Sequence, residues 1–374
     1  MSIQRKITVK SNSMEGIMSF LFVKKHVNII LVTLMIVIAA MLTCCSKKSD
    51  PETPKETDET LRFVFLADSR GDSMGYPVDT TALNPIIRAI AKLSPKPSFV
   101  IFGGDMSYRG YMNNSYTFQV WKDLFAPLGS GIPLYTAIGN HELYHHHASY
   151  GYLLVNQQEY QKVFSESPAN GPAGYEHLTY SFTSPGGNSF FAVLDPYFVN
   201  KDTVHMGLGG HIEPIQMSWL KTQVAQTTAT HKFLFIHTPY YYVSDDPEEP
   251  SAADTTLTAL WSFLDVNKFD FYACGHSHLF SRKTIDSSIP ANPPTTPPTP
   301  IWQNNVVQLL NGTCGAGPST GVIDPAIKTA WNVHNDAHTY YFSVIDVNGG
   351  TVTVNSYGGS LGTYSIMDTF TVTR

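Results

Sequence analysis

Beyond Leu61 the chain alternates short apolar runs that end in polar clusters with stretches of helical period. The runs "LRFVFLAD", "SFVIFGGD" and "IPLYTAIGNHE" predict strands, and "TALNPIIRAIAKL" and "TFQVWKDLFAPL" between them predict helices. Strand, helix, strand, helix, strand is the order of a layered βαβ-type fold. A loop-rich, Tyr- and His-rich stretch follows over 143–177. After it, "LTYSF" and "NSFFAVLD" predict a hairpin, "PIQMSWLKTQVAQ" an amphipathic helix, and "HKFLFIHTP" and "FDFYACGHSH" buried strands separated by the helix "LTALWSFLDV". Trp219, Leu220 and Trp261 fit helix faces packed on a sheet. The tail, "VVQLLNGT", "YYFSVIDVNGGTVTVNSYG" and "MDTFTVT", reads as strand, with Asn348-Gly349 as a hairpin turn. The Pro-rich stretch 287–300 reads as a stiff surface connector.

The N-terminal pattern is different. Lys24 and Lys25 precede an uncharged apolar stretch of 17 residues, Val27 to Thr43, followed by Cys44 and Cys45. That is a basic segment and a hydrophobic segment of signal type, slightly long for a secretory signal and slightly short for a comfortable membrane span, so an uncleaved anchor competes with it. Leu42-Thr43-Cys44-Cys45 resembles the lipobox of bacterial lipoproteins. We therefore expect residues 1–45 to be a lipoprotein signal, with Met18 as a candidate initiator and Cys44 or Cys45 lipidated. The chain would then be exported and lipid-anchored in the bacterial cell envelope, in the periplasm or at the cell surface. Residues 46–60, polar and Pro-containing, read as a flexible tether, and 61–374 as the folded domain.

Composition adds limits. Of 374 residues 43% are hydrophobic and 14% charged, ordinary for a chain that buries a large core, and the 12% aromatic share favours strands. Removal of residues 1–45 takes away Arg5, Lys6, Lys10, Lys24, Lys25 and Glu15, and moves the formal net charge from −6 to −10. An acidic chain without basic clusters has no evident nucleic-acid-binding surface, and an anionic substrate must be held by local charges or metal ions. Only Cys274 and Cys314 remain, so this is no disulfide scaffold, and two buried free thiols are favoured over a pair.

The chemistry lies at the C-terminal ends of the predicted strands: Asp68, Asp105, Asn140-His141-Glu142, His237, and His276 with His278. In open α/β sheets ligands bind in the crevice outside those ends. Oxygen and imidazole donors without cysteine suit Fe, Mn or Zn rather than a thiolate-rich structural zinc site. Strand-end capping is the bland alternative, and six such residues in register argue against it.

The blocks "GGD", "GNHE", "FLFIH" and "GHSH" resemble those of the calcineurin-like metallophosphoesterase superfamily over residues 61–282. The first block departs: "DSR" has Arg70 where Asp-x-His is expected. "GDMSY" places Tyr108 three residues after Asp105, similar to the Gly-Asp-x-x-Tyr of the purple acid phosphatase branch, as are "YSF", "HTPYY" and "GHSHLFSR". That branch has lost the histidine and usually has glycine at the Arg70 position.

The resemblance implies an α/β fold, a four-layer α-β-β-α sandwich with two mixed β-sheets, with the C-terminal strands in the second. It implies two metal ions, iron with Fe, Zn or Mn. Asp68, Tyr108 and His278 would hold the first, Asn140, His237 and His276 the second, and Asp105 would bridge. Two ions roughly 3.5–4 Å apart clamp a phosphate and activate a water. His141 would donate a proton or hydrogen-bond the phosphoryl group, with Glu142 orienting it. The expected reaction is hydrolysis of a small phosphate ester, a monoester first and a diester with a Mn or Zn pair second, and a binding module on the same fold is the rival. Arg70 has three candidate roles: binding substrate phosphate, pairing with Asp72, or pointing outward. His145, His146 and His147 fall off the pattern and read as loop. Neither the natural ester nor the oligomeric state is legible.

Overall fold

The structure is a computed structural model that describes residues 60–73, 75–109, 114–144, 151–201, 209–243, 254–290, 302–319 and 321–374. The signal segment with Cys44 and Cys45, the tether to residue 59, His145 to His147 and most of the Pro-rich stretch lie outside the described residues. Among the described residues no helix is long and apolar enough to cross a membrane.

Strand β1 (Thr60–Leu66) shows why the early runs are continuously apolar. Phe63 and Phe65 point into a core that also takes Phe191, Phe233, Phe235 and Phe271, while Val64 and Leu66 point into a second core with Leu83, Ile86, Phe118 and Trp121. Both faces are covered, so alternation has no polar side to show. In the first sheet β1 pairs in parallel with β4 (Phe99–Phe102), and β4 with β5 (Leu134–Thr136). On its other side β1 meets antiparallel β12 (Tyr340–Asn348), followed by β13 (Thr351–Ser360) and β14 (Thr363–Thr373). The second sheet runs β10 (Phe280–Ile285), β11 (Val306–Asn311), β9 (Phe271–Cys274), β8 (His231–Phe235), β7 (Ser189–Val193), β6 (Tyr180–Thr183). It is parallel from β7 to β11, with antiparallel β6 and β10 at its edges. A short ribbon joins β2 (Arg70–Ser73) to β3 (Tyr76–Val78).

Helices cover the outer faces. α1 (Thr80–Ala91) packs Leu83, Ile86, Ile87 and Ile90 on the first sheet, and Asp79 caps it by accepting from Thr81 and Ala82 at 2.9 and 3.1 Å. α2 (Asn114–Asp123) and α4 (Leu154–Val163) add Phe118, Trp121 and Tyr160 to the same core. α5 (Pro214–Gln226) and α6 (Thr255–Val266) cover the second sheet with Leu220, Val224, Leu260 and Trp261. The result is the expected α-β-β-α sandwich of two mixed sheets.

Two expectations need correction. Strands β12 to β14 extend the first sheet, not the second, which takes only β11 of the tail. β12 takes the open edge of β1 as its partner, and both its faces are then covered: Tyr341, Ile345 and Val347 enter the core between the sheets, while Phe342 and Val344 enter the helix-covered core beside β1. The loop-rich stretch 143–177 contains the helix α4. Cys274 and Cys314 are both free and buried, in the cores on opposite outer faces.

Candidate metal centre

The predicted residues stand just beyond the C-terminal ends of their strands: Asp68 after β1, Asp105 after β4, His237 after β8, and His276 and His278 after β9. Asn140 and His141 open the short helix α3 (Asn140–Leu143) after β5. Here the sandwich closes at one edge: Ala67 bridges Gly312, and Cys314 donates to the Ala67 carbonyl at 2.9 Å. Asp68, Asp105 and His276 hold φ of 60°, 56° and 72°. Side-chain-bearing residues avoid this left-handed region, and it recurs where a functional side chain must be aimed.

The backbone beneath is tied together. Asp68 donates to the Gly104 carbonyl at 3.0 Å, and Ser69 and Arg70 both donate to the Asp105 carbonyl at 3.0 and 3.1 Å. The buried Glu142 carboxylate accepts from Gly139, Asp105 and Met106 at 2.7, 2.8 and 2.7 Å. Glu142 thus fastens the Gly-Asn-His-Glu block to the Gly-Asp block instead of orienting His141. A Cβ on Gly139 would stand 2.3 Å from Asp105 Oδ1, and one on Gly275 2.3 Å from Asp68 Oδ2, so both positions need glycine.

The side chains gather around Asp105. Asp68, Asp105 and His278 bring ligand atoms within 4.8 Å of one another, with His278 Nε2 3.8 Å from Asp68 Oδ1. On the other side His237 Nε2 lies 3.2 Å from Asp105 Oδ1, while its Nδ1 bonds the Gly103 carbonyl at 2.7 Å. His276 Nδ1 is 3.1 Å from Asn140 Oδ1, and its ring is 5.3 Å from that of His237. Asn140 donates its amide to the Tyr144 hydroxyl at 2.8 Å, which leaves Oδ1 turned to His276.

His141 places Nδ1 against the Tyr108 carbonyl and Nε2 3.9 Å from Asp105 Oδ2. Tyr108 stands on the His141 side, partly exposed, its ring 6.0 Å from the imidazole and 5.0 Å from the Arg109 guanidinium carbon. Arg70 turns inward, with Nε 3.8 Å from Asp105 Oδ2.

Burial pushes the Asp68 carboxyl well above its ordinary range, and the neighbouring Asp105 adds to this against His237 and Arg70. Burial opposes ionisation of Asp105 as well, but His237, His141 and Arg70 hold it well below the usual carboxylate range. For His237 burial is overcome by Asp105 and Asp68, and its pKa is pushed up to about 9. Burial takes His141 and His276 down to about 3 and His278 well below its ordinary value.

These residues pass a test of fit for metal. His237 Nε2 is buried and lacks a hydrogen-bond partner, although a carboxylate oxygen is 3.2 Å away. With Nδ1–H committed to a carbonyl, Nε2 turns a lone pair toward an anion, and a proton or a metal ion between them relieves the repulsion. The neutral imidazoles of His276 and His278, His237 once a cation replaces its proton, and two crowded carboxylates supply the donors of a borderline cation site.

Sequence reasoning missed Tyr144 and the role of Glu142. The signal for Tyr144 was its spacing of four from Asn140, about one helical turn, although it stands just past the end of α3.

The calcineurin-like phosphoesterase family matches residues 61–280, a span that contains every residue of the site. Among solved structures the fold resembles a purple acid phosphatase isolated from yellow lupin (Lupinus luteus) seeds, with 16% identity and a TM-score of 0.60 over 85% of this chain and 55% of that one. It also resembles PhoD, with 14% identity and a TM-score of 0.58 over 84% of this chain and 70% of that one. The chain spans about half the length of the lupin protein. At these identities the likeness is one of fold. No curated protein sequence matches the chain.

Proposed function

This chain belongs to the calcineurin-like phosphoesterase family, and on that premise we propose that it hydrolyses small phosphate monoesters at a two-metal centre of the purple acid phosphatase type. The observation that carries the reading is the buried Asp105 carboxylate, with Asp68 and His278 clustered on one side and the unpartnered His237 Nε2 on the other. Asp68, Tyr108 and His278 would hold one ion, Asn140, His237 and His276 the other, and Asp105 would bridge. Iron with Fe, Zn or Mn suits that oxygen and imidazole set. Bound there, the ions supply Lewis acidity to the phosphoryl oxygens and an activated water.

The chain's own groups do the rest. His141 donates Nδ1–H to the Tyr108 carbonyl, so Nε2 faces the crevice with its lone pair and hydrogen-bonds the phosphoryl group only when it carries a proton. Once substrate charge has raised its proton affinity, the same nitrogen delivers a proton to the leaving oxygen. Burial of Asp68, Asp105, Asn140 and His237 keeps bulk water from screening these charges.

Two measurements test the reading. The metal-loaded chain is expected to hydrolyse aryl phosphate monoesters and to show a visible charge-transfer band that Tyr108→Phe removes. Intact metal without such a band contradicts the iron–tyrosinate assignment, and hydrolysis of diesters alone replaces it with a diesterase carrying Mn or Zn.

We also propose that the enzyme is tethered to the bacterial envelope by lipid on Cys44 or Cys45, on the support of the lipobox-like sequence. The full chain should incorporate labelled palmitate and lose it when both cysteines become serine; label retained in that variant contradicts the anchor.

A further inference from the structure

Arg70 opens β2, and its position is fixed from several directions. Its backbone N–H and that of Ser69 share the Asp105 carbonyl at 3.1 and 3.0 Å, and β2 pairs it with Val78. Ser69 Oγ donates to the Met106 carbonyl at 3.0 Å and accepts from Trp121 Nε1 at 2.8 Å. The Arg70 backbone is therefore rigidly coupled to Asp105. Its side chain is 16% exposed, with Nε 3.8 Å from Asp105 Oδ2. That Nε is buried without a hydrogen-bond partner, and Nη1 meets only the adjacent Gly71 carbonyl, at 3.3 Å. The guanidinium thus lies beside Asp105, the residue proposed to be shared by both ions. Of the five N–H donors of the guanidinium, the buried one on Nε is unmet, which is costly, and those on Nη2 have no protein acceptor among the described residues. An oxyanion arriving beside Asp105 meets them.

We propose that Arg70 binds the terminal oxygens of the phosphoryl group and makes the site select monoesters over diesters; this rests on the phosphate-ester reading above. A monoester dianion presents three terminal oxygens, a diester two oxygens and a single charge. With two oxygens committed to the ions, a monoester retains a third for Arg70 and a diester has none. The planar fork of the guanidinium matches phosphate geometry, and a fixed positive charge in a poorly screened site favours the dianion.

The test uses metal-loaded wild type, Arg70→Ala and Arg70→Lys, each with its metal content measured. Calorimetry gives the Kd for inorganic phosphate, and kinetics give kcat/KM for 4-nitrophenyl phosphate and bis(4-nitrophenyl) phosphate. In Arg70→Ala phosphate affinity is expected to fall about tenfold or more, the size of a lost charge-assisted hydrogen bond. The monoester kcat/KM falls by a similar factor and the diester value by less than about threefold, while Arg70→Lys recovers part of the binding. Unchanged phosphate affinity, an equal fall for both ester classes, or loss of metal from both variants overturns the proposal. A wild type that binds phosphate through Arg70 but hydrolyses neither ester overturns the hydrolase reading itself, and ester selection with it.

Discussion

Asn140 presents its oxygen to His276 because its amide nitrogen is occupied, donating to the buried Tyr144 hydroxyl at 2.8 Å. Burial keeps that phenol neutral by pushing its pKa up to about 12. Tyr144→Phe removes the acceptor with little change of shape, so affinity for the second metal should fall about tenfold or more, as for other outer partners of metal ligands. Competition titration with a chelator reads this directly, and an unchanged affinity would show that the amide needs no such anchor. Asp195 is a different case. Its buried carboxyl is pushed up to about 7, against one hydrogen bond from the Tyr197 N–H at 2.7 Å, and its Oδ2 has no partner. Between the ordinary carboxyl range and about pH 7 the folded chain keeps a proton that the unfolded chain has released, so stability falls as pH rises through that window. Asp195→Asn imitates the protonated acid. It should flatten this slope and be more stable than wild type at pH 8, by on the order of 1–3 kcal/mol, in urea unfolding at several pH values. A slope equal to that of the wild type would refute this account.

Among the elements, β1 carries most of the organisation. Phe63 stacks on Phe99 at 5.2 Å and meets Phe191 and Phe233 edge-on at 5.2 and 5.4 Å, so one ring joins both sheets. Phe63→Ala should cost about 3–5 kcal/mol and appear as a large drop in Tm; a loss under about 1 kcal/mol would mean that the core collapses around the gap. β1, β4, β8 and β9 were legible because two-faced burial writes an unbroken apolar run that stops at a polar residue. The β2–β3 ribbon was not, since strands of four and three residues are held by backbone bonds to their neighbours, with no apolar pattern of their own. α4 escaped because "LVNQQEYQKV" has no pronounced apolar stripe: Asn156 and Gln157 are buried there through hydrogen bonds to Leu143, Tyr144 and Val199 carbonyls. The partner of β12 could not be read from its own residues, because burial of both faces fits an inner place in either sheet.

At the scale of the molecule the site belongs to neither sheet alone. Asp68, Asp105 and Asn140 come from the first and His237, His276 and His278 from the second, so the donor set exists only once the sandwich is assembled. The proposed donors could be picked out in sequence because each follows a strand in a short motif. Their tuning could not, because it depends on Glu142 spanning two blocks and on Arg70 lying over Asp105. We propose that Asp105 is shared by two ions. Elemental analysis of the purified chain should give two metal ions per chain for wild type and one or none for Asp105→Asn. One ion or none in the wild type, or two retained by Asp105→Asn, would contradict it.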